Sequence, residues 1–221
     1  MTDQKTPSAT TCLTPFGAWV SYTVRTLAHG DSADTSIVGG YLGDSPTAVA
    51  AIAKLSHNVG HAIGSDPDIF YWTVPDVDDT AIYPHGAPVS SEPTREELAA
   101  HAAITLYAMH QQSNHEMPMH TDAPISIGRA VGAMAFGNIN EKGIRSAFDK
   151  LQTASSWAMT VMHARHLIQL LKREDIAINY GLFAQDMVEL RSSSERGNRV
   201  RLRWGRDYQS AYAQAKAKAE D

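Results

Sequence analysis

The chain has 221 residues, a formal net charge of −5 and a single cysteine, Cys12. That length buries a real core, as one large or two small domains, and one cysteine excludes an internal disulfide and a cysteine zinc cage. The acidic balance excludes a general nucleic-acid coat protein but leaves room for one basic patch. No apolar run approaches the ~18 residues of a membrane span, and Met1–Thr11 is polar without a basic-then-apolar leader pattern. A soluble, cytoplasmic protein with no membrane partner is expected.

Residues 1–13 read as a disordered tail rich in Thr, Ser and Pro. Thr14 and Pro15 then start a helix that Gly30 closes, with Phe16, Trp19, Val20, Thr23, Val24 and Leu27 at helical spacing. A second helix is expected over Thr35–Leu42 despite Gly39 and Gly40. Ser45–Pro46 opens a third, ended by Gly60 or Gly64. Asp66–Pro67 opens a short piece, Ile69–Trp72, expected to be buried because three of its four residues are aromatic. Thr73–Glu92 carries Pro75, Pro84 and Pro88 without helical period and reads as a long loop. Thr94 and Glu97 form a capping box for a helix running to about Ser113. Asn114–Pro124 is a second loop and a seam between halves.

Ser126–Phe136, Asn140–Gln152 and Ser155–Arg173 follow as helices. Asp175 is expected to cap another that runs to Leu190. Ser192–Asn198 reads as a polar turn, and the last helix is expected to begin near Arg201 and fray through the Ala/Lys tail. Only Arg199–Arg203 alternates like a strand. The fold class is therefore all-α, with roughly eight to nine helices, two small helical subdomains and no significant sheet. The halves are expected over 14–115 and 116–212, with a frayed tail over 213–221.

From Arg191 to Arg206 there are six arginines and one acid, Glu195. A basic stripe on an acidic chain is a local field that selects partners. Guanidinium groups suit phosphate oxygens, although pairing with Glu and Asp of neighbouring helices explains such a stripe equally well. Arg199, Arg201 and Arg203 cannot share one helix face, because residues two apart diverge by about 200°. At most two follow one backbone, and the third pairs internally. Trp204, Tyr107, Tyr180, Phe148 and Phe183 read as core.

No nucleophile elbow, phosphate loop, dinucleotide fingerprint or zincin motif is present. His57/His61 and His163/His166 could each share a helix face, and His110, His115 and His120 fall in or near one loop. Neither pair has a carboxylate at ligand spacing, so no metal and no cofactor is assigned. Cys12 has no neighbour that would activate it. Asp207 beside Arg206 reads as an ion-pair partner rather than a general base. No catalytic constellation emerges.

Several stretches in order resemble the CasB family, the small subunit of the type I-E CRISPR surveillance complex, Cascade. They are Gly40–Leu42, Ala48–Leu55, Thr105–Ser113, Pro118–His120, Ile125–Ala130, Phe148–Asp149 with Thr153–Ser156, His163–Leu171, Asn179–Gly181 through Asp186, and Val200–Tyr208. The pairing of Ser126-x-Gly128-Arg129-Ala130 with Val200-Arg-Leu-Arg-Trp-Gly-Arg-Asp-Tyr208 is the most specific. The resemblance implies an all-helical protein without catalytic activity. It implies two copies head to tail along the Cascade backbone, with the large subunit and crRNA as further partners. Basic side chains would hold the target DNA strand and the displaced single strand when the R-loop forms.

On that resemblance the nucleic-acid-binding candidates are Lys54, His57, Arg129, Arg145, Arg165, His166, Arg196, Arg199, Arg201, Arg203 and Arg206. The chain departs from the family where basic residues are usual. It has Ser56 and His57 after the helix Ala48–Leu55, Asn114 after the Gln–Gln–Ser turn and Thr121 after Pro–Met–His. Ser146 stands beside Arg145, and Leu182 and Gln185 precede Asp186. His57 and His166 contribute charge only when protonated.

Overall fold

Alanine fills much of Arg95–Gln111, and small side chains on every face let neighbours approach from all sides. In the computed structural model, which describes residues 12–83, 86, 88 and 90–220, this helix (α4) is buried without a break from Ala99 to Gln111. The Thr94–Glu97 capping box forms, with the Thr94 hydroxyl accepting from Glu97 N–H and the Glu97 carboxylate accepting from Thr94 N–H. Around α4 pack α1 (Pro15–His29), α2 (Pro46–His57), α7 (Trp157–Arg173) and α8 (Tyr180–Ser192), and the one-turn helix α3 (Phe70–Thr73) touches it as well. A second group of contacts joins α5 (Ile127–Ala135), α6 (Glu141–Gln152) and α9 (Ser194–Glu220), with α8 and α7 linking the groups. One hydrophobic cluster runs from Phe16 to Tyr208. Among the described residues there are nine α-helices and no strand, only a single parallel bridge between His120 and Ile178. None of these helices is long and apolar enough to cross a membrane.

The tightest packing is between α5 and α9. A Cβ on Gly128 would lie 2.3 Å from the Trp204 carbonyl oxygen, and one on Gly132 would lie 2.3 Å from that of Tyr208. The two backbones therefore touch where a side chain would otherwise stand, as in small-residue helix crossings generally. Trp204 is fully buried and donates its indole N–H to Asp186 on α8 at 2.5 Å. Arg203 donates to the other carboxylate oxygen. Burial pushes the Asp186 carboxyl up to about 6, against the opposing pull of Arg203 and Trp204.

The seam residues Asn114–Pro124 are held by buried polar groups. Gln111 accepts from Met119 N–H at 2.8 Å and donates to the Asn114 and Met117 carbonyls. His120 Nδ1 accepts from Tyr180 N–H at 3.2 Å, which puts the imidazole proton on Nε2, facing Asp122. His110 Nδ1 meets the Tyr180 hydroxyl at 3.0 Å. Burial lowers His110 to about 3 and His120 to about 4.

Several expectations are corrected. Thr35–Leu42 makes only a 3-10 turn over Thr35–Ile37, because Gly39 and Gly40 take positive φ of 80° and 57° and reverse the chain. The helix after Ser45–Pro46 stops at Asn58, before either glycine. In Ile69–Trp72 only Ile69 is buried, while Phe70 and Tyr71 are 36% and 76% exposed. Asn179, not Asp175, caps α8 and accepts from Leu182 N–H, while Asp175 sits in a left-handed turn at φ 51°. Ser194–Asn198 is helical rather than a polar turn, so α9 starts before Arg201 and continues to Glu220, which also removes the strand reading of Arg199–Arg203. Apart from Cys12 and Leu13, the expected tail over 1–13 lies outside the described residues, as do Pro84 of the long loop and Asp221 of the frayed segment.

Two predictions follow from this packing. Gly128→Ala and Gly132→Ala each lower stability by roughly 1–3 kcal/mol, since neither backbone can yield. Gly205→Ala, whose Cβ would meet nothing nearer than 3.9 Å, raises it by about 0.5–1 kcal/mol. Urea unfolding of the three variants checks both signs. Acid sensitivity is the second. His110 and His120 protonate in the unfolded chain near pH 6.5 but resist in the folded one, so their contribution is present above that pH and is lost as pH falls towards 4. Asp186 acts oppositely, taking its proton more readily in the folded state. Two histidines outweigh one carboxyl, so stability drops on the order of a few kcal/mol between pH 7 and 4.5. His120→Asn, which keeps an acceptor for Tyr180 N–H, flattens that curve.

Candidate nucleic-acid interface

With α9 helical from Ser194, the arginines fall into an order that the linear text hides. At about 100° per residue, Arg196, Arg199, Arg203 and Arg206 (i, i+3, i+7, i+10) share a strip about 80° wide and about 15 Å long. Arg201 points to the opposite side. Three of the four in the row have an acid beside them. Arg196 pairs with Glu189 at 3.2 Å, Arg199 with Glu195 at 3.6 Å, and Arg203 with Asp186. Arg206 has no carboxylate partner among the described residues and is exposed.

These pairs differ in kind. Arg196–Glu189 and Arg199–Glu195 are exposed on both sides, and such pairs contribute about 0–1 kcal/mol. A phosphate can displace the carboxylate at little cost. Asp186 is only 4% exposed at its side chain, so removing Arg203 would leave a buried charge with one donor fewer, which is costly. Among Arg199, Arg201 and Arg203, the one tied to an internal carboxylate is therefore Arg203.

Arg196 and Arg203 line a hollow of about 710 Å³ that also contains Arg95, Glu96, Asp186, Glu189 and Asp207. Arg95 was missed in the sequence because it stands inside the capping box, where it reads as the start of a helix. Asp207 does not pair with Arg206 as expected. It accepts from the Ser126 hydroxyl at 2.5 Å, tying the head of α5 to α9.

The other candidates lie on different helices. Lys54 is bound to Asp68 across the turn after α2. His57 is exposed and meets His61 edge-on at 5.5 Å between ring centroids. Arg165 and His166 are exposed on α7 with no partner among the described residues. Arg165 joins His61, His101, Trp157 and Met162 along a largely apolar cleft. Arg145 pairs with Asp149 at 3.4 Å and lies over the Tyr208 ring at 5.0 Å, in a separate hollow with Lys142. Lys142 was missed, though its i, i+3 spacing to Arg145 was readable. Arg129 donates to Gln214 at 3.0 Å. The structure thus brings four arginines together on α9, sets Arg165 beside His61, and keeps Arg145 apart from both.

Among the described residues no three His, Cys, Asp or Glu side chains cluster as metal ligands would. Trp204, Tyr107, Tyr180, Phe148 and Phe183 are all core.

The model of the CRISPR-associated protein Cse2 family matches residues 51–208. Among solved structures, CasB from Thermobifida fusca is 29% identical, with a TM-score of 0.66 over 89% of this chain and 99% of that one. No curated protein matches the sequence. The match takes in α4 to α8, most of α2 and the arginine row of α9: the chain belongs to the Cse2 family of CRISPR-associated proteins.

Proposed function

We propose that this chain is a non-catalytic small subunit of a type I-E Cascade complex, acting in antiviral defence. Two copies lie along the backbone subunits and beside the large subunit, in the cytoplasm. There they contact crRNA-guided target DNA, both the target strand and the displaced single strand, and so stabilise the R-loop. Family membership supports the subunit assignment. The observation that carries the strand contact is the row Arg196, Arg199, Arg203 and Arg206 on one strip of α9. At about 15 Å it spans two to three phosphates of an extended strand, and contact of this kind needs no base readout. Base pairing supplies the sequence, and backbone contacts tip a nearly balanced strand exchange.

A second reading has its own support. Three of the four arginines in the row already face a carboxylate, which suits a scaffold that touches other subunits and barely touches nucleic acid.

A salt titration of single-stranded DNA binding separates the two. Strand contact gives an affinity that falls steeply with salt, with a slope of about 0.7 per phosphate. Arg206→Gln then reduces the slope by about 0.7, and Arg199→Gln with Arg206→Gln by about 1.4. A weak affinity that does not change with salt selects the scaffold.

A further inference from the structure

The side of α9 opposite the row carries a separate basic notch. Ala154, Ser155, Ser156, Trp157, Thr160, Leu190, Arg191 and Arg201 enclose a cavity of about 280 Å³, and no carboxylate is among them. Both guanidinium groups are held in place while keeping donors to spare. Arg191, from the end of α8, lies over the Trp157 ring at 5.2 Å and makes no hydrogen bond or ion pair among the described residues. Arg201 donates Nε–H to the Gln152 carbonyl at 2.8 Å and one Nη to Asn198 at 3.3 Å, leaving its second Nη. At the head of α7, Ser156 Oγ accepts from Met159 N–H, so its own proton remains to be donated. The Trp157 and Ala158 N–H groups have no acceptor among the described residues, as the first turn of a helix leaves them.

We propose that this notch binds one tetrahedral oxyanion, a phosphate, between the Arg191 and Arg201 guanidinium groups. The ring contact of Arg191 and the Arg201 bond to the Gln152 carbonyl pre-orient two cations on one cavity, so an anion entering it meets both with little ordering cost. Two planar forks and a hydroxyl match the oxygens of a phosphate, which chloride cannot satisfy. The phosphate is either free or part of a phosphodiester. The site does not depend on the arginine row, which faces the other way.

The test is a titration of the full chain with inorganic phosphate. It is followed by NMR at the Trp157 and Ala158 amides and the Arg191 and Arg201 Nε–H groups, with chloride at equal ionic strength as reference. A saturable shift with phosphate alone is expected. Arg201→Gln and Arg191→Gln should each weaken it roughly tenfold or more, and Lys218→Gln should not. Arg191 makes no hydrogen bond among the described residues, so its variant reports on the site even if Arg201→Gln fails to fold. Equal shifts in chloride, or unchanged affinity in Arg191→Gln, would overturn the site. Competition by a short single-stranded oligonucleotide identifies a phosphodiester, and lack of competition a free phosphate; both outcomes support the notch. A saturable phosphate shift in a chain that binds no oligonucleotide removes the strand contact proposed above and leaves the notch. Salt-dependent oligonucleotide binding without the phosphate shift removes the notch alone.

Discussion

Two glycines one turn apart on α5 determine how α9 can lie. Gly128 meets the Trp204 carbonyl and Gly132 meets that of Tyr208, four residues further on each helix. Because the spacing matches, the contact fixes both the register and the rotation of α9. Sliding by one residue would bring a larger side chain to a gap that admits none. Once that rotation is set, Trp204 and Arg203 must reach α8, where Asp186 takes both. Ser126 at the head of α5 reaches Asp207 and closes the same junction from the other end. The direction of every arginine on α9 follows from this single contact, which is a backbone constraint rather than a charge constraint.

What the sequence made legible was local. Caps were readable where one side chain satisfies one amide a few residues on, as at Thr14, Thr94–Glu97 and Ser126. Core aromatics were readable from size alone. Composition misled where tertiary contacts decide. Ser192–Asn198 looks like a turn, yet Ser193 caps a helix there by accepting from Arg196 N–H. Phe70 and Tyr71 were expected inside because aromatics bury well, but a single turn of helix has only one inner face, and Ile69 and Thr73 occupy it.

The candidate site shows the same division. Which residues are basic is plain in the text. Which of them stand together depends on where the helix begins. A helix starting at Arg201 leaves Arg196 and Arg199 outside the helical register; one starting at Ser194 aligns them with Arg203 and Arg206 and sends Arg201 to the far side. Arg191 enters the second basic site from α8, a partnership that no spacing rule would find. Arg95 and Lys142 were overlooked because a helix start and a solvated face each explained them sufficiently.

The acids beside the row bear on how such a surface can work. On a chain of net charge −5, isolated arginines would attract any polyanion. Glu189 and Glu195 screen two of them through exposed pairs that cost little to break. A phosphate arriving at Arg196 or Arg199 gains a cation and releases a carboxylate, so each contact is weak by itself. Contacts of that strength add up only when another part of an assembly already holds the strand nearby, which raises its effective concentration. On the proposed reading, a row tempered in this way contributes a weak, salt-sensitive contact in the free protein and a larger one within a complex. Arg203 differs from these two: its guanidinium is half exposed, but its partner Asp186 is buried, so it can meet a phosphate only while keeping that bond.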